Sequence, residues 1–226
     1  MLVRNERACL EVMLPVFLEK ASQSNLDRVI AVDGDSSDGS LELLKQYGVE
    51  ILKQSLPGRG GAMIEVMQAI PADAYIFFSP DGNEDPTDLP KFRHALEKGA
   101  DLVIASRMMH GAVNEEDHQF FKLRKMANLA FNWMANVAFG SRNAYISDSI
   151  NGYRAIRRSL ANQLKLDAMD YTIEYQMTIR AMQKKAKIIE FPTHEYPRIA
   201  GTTGASSIPT GLRFLKRFWL ELTHKN

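Results

Sequence analysis

One cysteine, Cys9, stands in a chain of 226 residues. A disulfide needs two, so no internal disulfide framework holds the fold, and a reducing compartment suits it. The lone thiol reads as a small buried hydrophobe. No stretch approaches about 18 continuous apolar residues, which excludes a bilayer-spanning helix. The first seven residues, Met1 to Arg7, lack the apolar centre of a signal peptide, so a cytoplasmic location is expected. Net charge is nearly absent too: 28 Lys and Arg face 27 Asp and Glu, leaving +1. Nothing global draws the chain to nucleic acid, and any anion binding must be local. Neither an internal repeat nor a low-complexity segment occurs.

What remains is an ordinary globular composition, 45% apolar and 24% charged, enough for one substantial α/β domain. Short apolar runs alternate with helical patterns. Strands are predicted over Asp27–Asp33, Gly48–Lys53, Tyr75–Phe78, Asp101–Ala105 and Lys187–Pro192. Helices are predicted over Asn5 to Ala21 (against the presence of Pro15), Leu41–Lys45, Gly58 to Ala69, Thr87–Glu97 and Tyr171–Lys184. Such alternation with short connections implies a mostly parallel sheet covered by helices on both faces. Right-handed crossovers then gather the loops after the strands along one edge. The domain is expected to run over 1–208, followed by a basic, aromatic helix over 209–226.

The most informative stretch is Tyr75-Ile76-Phe77-Phe78-Ser79-Pro80-Asp81-Gly82-Asn83-Glu84-Asp85. A buried strand breaks into residues that continue neither strand nor helix. Ligands of open α/β sheets collect just beyond such strand ends. A carboxylate there, Asp81 first, suits a magnesium or manganese ion held against a diphosphate, because hard cations prefer oxygen ligands. An isolated Pro-Asp-Gly is ordinarily a surface turn. The convergence of this loop with those after Val32 and Ala105 is what favours a site. The glycines of Pro57-Gly58-Arg59-Gly60-Gly61 suit close approach of backbone N–H groups to a phosphate. They match neither the dinucleotide nor the P-loop pattern. Residues 118 to 140 form a long Met- and aromatic-rich helical stretch, read as core packing or as a face touching a membrane or another subunit. The end, Leu212 to Leu220, is basic and aromatic at helical spacing. It suits packing on the domain and an anionic lipid surface equally.

Six segments in order resemble the inverting family-2 glycosyltransferases, in particular their dolichyl-phosphate mannosyltransferase-like branch. Leu2-Val3-Arg4-Asn5-Glu6 is similar to the end of the family's first strand and its Asn-Glu motif, and leaves that strand nearly absent. Val32-Asp33-Gly34-Asp35-Ser36-Ser37-Asp38-Gly39-Ser40 resembles its Val-Asp-Asp-Gly-Ser-Thr-Asp-Gly-Thr. Gly58-Arg59-Gly60-Gly61-Ala62 resembles Gly-Lys-Gly-x-Ala. The Asp81 loop falls on the D-x-D motif. Gly99-Ala100-Asp101 through Ser106-Arg107 resembles Gly-Ala-Asp-x-Val-x-Gly-Ser-Arg. Asp148-Ser149-Ile150-Asn151-Gly152-Tyr153-Arg154 resembles Asp-x-x-Ser-Gly-Phe-Arg.

The resemblance implies a GT-A, Rossmann-like fold that moves a sugar from a nucleoside diphosphate sugar to a polyprenyl-phosphate-type acceptor, with inversion. It implies peripheral contact with the cytoplasmic face of a membrane and no nucleic-acid partner. Asp33 would bind the base, with Asn5 and Glu6 nearby, and Arg59 and Ser79 would sit at the nucleotide. Asp81 and Asn83 would hold Mg2+ or Mn2+. Ser79 replaces the first D-x-D aspartate and removes one anionic ligand. Arg107 and Arg154 would face an acceptor phosphate, Asp148 would line the reaction centre, and Arg198 and Ser206 would belong to a closing loop over 197–207. A phosphate acceptor is already an anion and needs no strong base. A hydroxyl acceptor would, and Asp148 would then be the candidate. The alternatives are a family-2 enzyme with a hydroxyl acceptor and a catalytically weak nucleotide-sugar-binding module. A sugar-phosphate nucleotidyltransferase would want a glycine-rich N-terminal signature that the chain lacks.

Overall fold

The computed structural model describes residues 1–118, 123–141, 145–201 and 207–223. In chain order it forms β1 (Leu2–Val3), α1 (Arg7–Gln23), β2 (Ile30–Asp33), α2 (Ser40–Gln46), β3 (Glu50–Lys53), α3 (Gly58–Ala69), β4 (Ala74–Phe77), α4 (Leu89–Glu97) and β5 (Leu102–Ser106). There follow α5 (Leu123–Phe139), β6 (Arg154–Arg157), α6 (Arg158–Leu164), α7 (Ile173–Gln183), β7 (Ile188–Pro192) and α8 (Ser207–Thr223).

The strands make two sheets, ordered β1-β2-β3 and β4-β6-β5-β7. They abut where the Leu2 amide donates to the Phe78 carbonyl at 3.0 Å. The first sheet is parallel throughout. The second is mixed: β5 and β7 are parallel, while β6 runs antiparallel to β4 and β5 on either side of it. Neither β6 nor α6 is among the elements predicted from the sequence. The inversion has a positional consequence. An antiparallel strand begins where its parallel neighbours end, so the Asp148–Tyr153 loop is delivered to the same edge as the loops after β4 and β5.

Alternation along the strands sends side chains into two core layers. Phe78 and Val103 pack with Leu10, Leu14, Leu44 and Phe92 of α1, α2 and α4 on one face. Phe77, Leu102 and Ile104 pack with Met63, Leu160, Ile173 and Met177 of α3, α6 and α7 on the other. A ladder of rings, Phe17–Phe78–Tyr153–Phe92–Phe191, has successive centroids 4.4, 5.5, 4.6 and 4.8 Å apart. Pro15 does not break α1. It lies on the exposed side, where the carbonyl that its missing N–H leaves unpaired is open to water.

A third layer lies beyond α7. Phe131 and Ala135 of α5 meet Tyr175 and Ile179 of α7 and Phe214 and Phe218 of α8. Every residue from Ile173 to Ala181 is therefore buried, and its polar members are paired. Arg180 reaches Glu221 of α8 at 2.8 and 3.1 Å, with both side chains almost wholly inaccessible. Gln176 donates to the same carboxylate at 2.8 Å. The C-terminal helix thus packs on the domain through one face.

Removing one member of a buried ion pair strands the other in a dry interior. Glu221→Leu is expected to lower unfolding free energy in urea by about 3–5 kcal/mol, and Arg180→Met with Glu221→Leu to recover most of it. A single-variant loss below about 1 kcal/mol, the range of a surface pair, would contradict this packing.

Candidate active site

The segments that follow β1, β2, β4, β5 and β7, together with the segment that precedes β6, meet along one edge of the sheets. Between the segments after β4, β5 and β7, the segment before β6, Arg59 of α3 and the first turns of α5 and α8 lies a cavity of about 560 Å³. Its lining includes the charged Arg59, Asp81, Glu84, Arg107, Glu174, Glu195 and Arg198, and, from α5, α8 and the segment before β6, apolar Leu123, Ala127, Phe131, Ile150 and Phe214 interspersed with Arg124, Lys125 and Asn128.

Of the residues expected at a nucleotide, Asn5, Glu6 and Asp33 are brought together by the turn after β2. The Asp33 carboxylate is buried and accepts the amides of Asp35 and Ser36 at 3.1 and 3.2 Å. Asn5, with a left-handed φ of 54°, accepts the Ser37 amide at 2.8 Å and donates its own to Ser36 at 2.9 Å. These bonds tie the 33–40 turn to the start of α1. Arg59 and Ser79 are also joined, the guanidinium donating to the Ser79 hydroxyl at 3.0 Å and to Glu174 at 2.5 Å. Burial works to lower the pKa of Arg59, but Glu174 and Glu84 outweigh it and raise it. The glycines before and after Arg59 do something other than the phosphate cradling expected of them. The Gly60 and Gly61 amides donate to the Met169 carbonyl, and a Cβ on Gly60 would stand 1.9 Å from the Ala168 oxygen. They are small so that the 168–169 backbone can approach.

Asp81 and Arg198 meet. The guanidinium donates to Asp81 at 2.9 Å, to the Ala200 carbonyl at 2.6 Å, and to Glu6. The Ile199 and Tyr196 amides bond the Asp81 and Asn83 carbonyls at 3.0 Å, which lays this segment across the Asp81 loop. Burial raises the Asp81 pKa. Asn83, expected as a metal ligand, has its side-chain amide committed to Glu115 at 3.1 Å and the Tyr196 carbonyl at 2.7 Å. Ser206 lies outside the described residues.

Two placements correct the expectations. Arg154 does not face the cavity: it is fully buried and donates to the carbonyls of Asn151, Glu174 and Ser149 and to the Thr178 hydroxyl. Burial lowers its pKa to about 10. Its work is to pin the 149–151 loop to α7. Asp148 is likewise wholly buried, closed off by Arg107, whose Nε and Nη2 reach it at 2.8 and 3.1 Å. It also accepts the Arg107 and Asn151 amides at 3.1 and 3.0 Å. Burial favours its neutral form, yet Arg107 outweighs this and lowers its pKa, so it is a locked carboxylate with no basicity to offer. Arg107 does reach the cavity, where it also meets Glu195 at 3.0 Å.

Sequence reasoning assigned no role to Glu195, Glu115 or Arg124, and none to Glu84 beyond its place in the loop. Glu195 follows β7 by three residues, and the strand-end rule used for Asp81 was enough to find it. Glu115 and Glu116, which pair with Arg124, stand in a single 3-10 turn (Glu115–His118) too short for any periodicity to mark. Asp81 offers an oxygen ligand at a place that already holds a cation, the Arg198 guanidinium between Asp81 and Glu6. Among the described residues no cluster of three His, Cys, Asp or Glu is placed to hold an ion. A divalent ion bound through one or two carboxylates and completed by substrate phosphates fits this donor set.

The sequence profile of glycosyl transferase family 2 matches residues 1–165. The glycosyltransferase AglJ of Haloferax volcanii is 29% identical over 180 residues, 77% of this chain and 55% of that protein. The dolichol-phosphate mannosyltransferase of Pyrococcus furiosus is 25% identical over 83% of this chain and 53% of its own length. The chain thus spans about half the length of these two relatives. Among solved structures, glucosyl-3-phosphoglycerate synthase from Mycobacterium tuberculosis, bound to Mn2+, uridine diphosphate and phosphoglyceric acid, superposes with a TM-score of 0.75. It does so over all of this chain and 78% of its own, at 16% identity, a likeness of fold.

Glu84 sets a pH dependence. Its carboxylate accepts the Ser79 amide at 2.7 Å, and burial, opposed by Arg59 and reinforced by Asp81, pushes its pKa up to about 8. A carboxyl raised on folding stabilises fully below its ordinary value of 4.5 and loses that contribution as pH rises through about 8. The stability of the wild type relative to Glu84→Gln, measured in urea, is therefore expected to fall from pH ~5 to pH ~8. A difference that stays flat across this window would show Glu84 ionised throughout.

Proposed function

The chain belongs to glycosyl transferase family 2, and from that premise we propose that it transfers a sugar from a nucleoside diphosphate sugar to a polyprenyl-phosphate-type acceptor, with inversion, at the cytoplasmic face of a membrane. One observation carries the choice of acceptor. Glu174, Glu195, Glu115, Glu116 and Asp81 of the cavity wall are each paired with a guanidinium, from Arg59, Arg107, Arg124 or Arg198. Glu84 holds its proton to about pH 8. Such a wall offers cations and hydrogen-bond donors and leaves no unpaired carboxylate as a base; the His194 imidazole, stacked on Tyr196, also lines the cavity. An acceptor that is already an anion needs none, whereas a hydroxyl acceptor must lose a proton. The apolar lining residues Leu123, Ala127, Phe131, Ile150 and Phe214 suit the first isoprene units of a lipid.

Within this reading Arg59, held by Glu174 and Ser79, faces the diphosphate and stabilises the charge that develops on it. Arg107 presents its remaining donor capacity to the acceptor phosphate, for which a forked, permanently charged guanidinium is suited. Asp148 acts behind Arg107, holding its orientation. Asp81 would hold Mg2+ or Mn2+, which when bound supplies charge neutralisation for the leaving diphosphate. Arg198 must then leave Asp81, and the segment around Tyr196–Ala200 moves with it.

Calorimetric titration of a nucleoside diphosphate panel, with and without manganese, tests the donor site. Manganese is expected to tighten one nucleotide at least about tenfold, and Asp81→Ala to abolish that gain. Sugar transfer from the selected donor to a short polyprenyl phosphate, with none to the free prenol, is expected next. Transfer to the prenol would restore the hydroxyl-acceptor reading, and tight binding without turnover would leave a nucleotide-sugar-binding module.

A further inference from the structure

Helix α5 carries apolar residues on two sides, separated by a flank with Arg124, Lys125, Asn128 and Asn136, and only one of those sides is covered. Phe131 and Ala135 face α7 and α8. At helical spacing on the opposite side, Leu123, Met126, Trp133 and Val137 stand exposed. Helix α8 divides likewise into three faces. Phe214 and Phe218 pack against Phe131 and Phe139 of α5. Arg217 and Glu221 meet Asp167 and Arg180 on the α7 side. The third face, flanking the α5 contact, exposes Leu212, Leu215, Trp219 and Leu222.

Both tryptophans of the chain stand on these open faces, Trp133 at 61% and Trp219 at 65% exposure. Tryptophan is highly buried on average in globular folds, and is enriched where an apolar phase meets water. Charge on the two helices has one sign. Helix α5 contains no acid, and the single acid of α8, Glu221, is buried against Arg180. Arg213 and Lys216 are exposed beside the α8 stripe, and Lys216 has no ion-pair partner among the described residues. The first turns of the same helices also line the cavity, Leu123, Ala127, Gly211 and Phe214 among them.

We infer that the exposed faces of α5 and α8 together dock on an anionic lipid bilayer, with Trp133 and Trp219 at the headgroup level and the cavity mouth opening onto that interface. A second copy of the chain fits less well, because it would set Lys216, which has no ion-pair partner among the described residues, against its like, while Arg213 already meets Asp170 at 3.9 Å. A zwitterionic or purely aqueous setting leaves the basic flank unused. The inference deepens the lipid-acceptor reading and rests on it only for what the docked molecule does. Docking itself involves neither donor nor acceptor.

The tryptophans make the test specific to this face. The full chain is mixed with phosphatidylcholine vesicles, with and without phosphatidylglycerol, and with acyl chains brominated or not. Co-sedimentation and tryptophan emission are recorded. The expected result is binding to the anionic vesicles, with a shift to shorter wavelength and quenching by brominated lipid. Lys216→Ala is expected to weaken partitioning about fivefold, the effect of one basic residue at such a surface. Trp219→Glu is expected to weaken it at least about tenfold. Both side chains are exposed, and unchanged thermal melts of the variants establish that folding is intact. Absence of binding, or binding without quenching, would overturn the inference. So would a dimer by light scattering whose tryptophans are already shielded in buffer, since the face would then be a subunit interface. Failure here leaves sugar transfer to a detergent-dispersed acceptor untouched, so the two readings are separable.

Discussion

The buried pair between Arg107 and Asp148 is the contact on which the rest of this edge depends. Arg107 directly follows β5 and Asp148 begins the segment that leads into β6, so one bidentate bond joins two neighbouring strands where their backbones have parted. Glu195 extends the bond to the segment after β7. Glu190 of β7 fastens the same loop from below, accepting the Ser147 and Asp148 amides at 2.7 and 2.9 Å. None of these charges could stay in so dry a place without its partner, because desolvation of a lone ion costs several kcal/mol. The arrangement is rigid for that reason. A bidentate pair whose remaining lone pairs are filled by amides has few alternative geometries.

The same logic explains what the cavity can do. Its cations are displayed, but each is balanced, so an incoming anion competes with a resident carboxylate. Competition is most direct at Asp81, where Arg198 stands as an internal counter-ion. A divalent ion together with a diphosphate would replace one guanidinium by a larger positive charge and would release Arg198 toward the phosphates. Closing and opening of the Tyr196–Ala200 segment is then tied to donor binding by electrostatics. A ligand shifts such an equilibrium only by its differential affinity for the two states. In the proposed mechanism Asp81 would supply that difference, binding either the arginine or the ion.

Much of this was legible in the sequence, for identifiable reasons. β4 and β5 are continuous apolar runs ended by turn residues, and strands buried on both faces leave that trace. The Asp81 loop was found because a strand that stops at Ser79-Pro80 has nowhere regular to go. β6 was missed because Arg154-Ala155-Ile156-Arg157 is short and charged at both ends. Its arginines become acceptable only through tertiary partners: Arg154 through the carbonyls of the 149–151 loop and α7, Arg157 through the Ala100 and Leu96 carbonyls. The motif around Arg154 identified the family without identifying the role. A guanidinium that binds phosphate and one that satisfies buried carbonyls look alike in one dimension. Likewise the spacing of 41 residues between Arg107 and Asp148 carries no local signal. Gly60 was read as making room for a phosphate, when the room is taken by the Ala168 and Met169 carbonyls.

The account stands on Asp81 exchanging an arginine for a metal–diphosphate complex. Anomalous diffraction at the manganese edge, from crystals grown with manganese and the tightest nucleoside diphosphate, examines that exchange directly. One peak in direct coordination of Asp81 and the diphosphate, with the Arg198 guanidinium moved off the carboxylate, is the predicted result. A nucleotide bound with Arg198 still on Asp81, or manganese lodged away from it, would contradict the account.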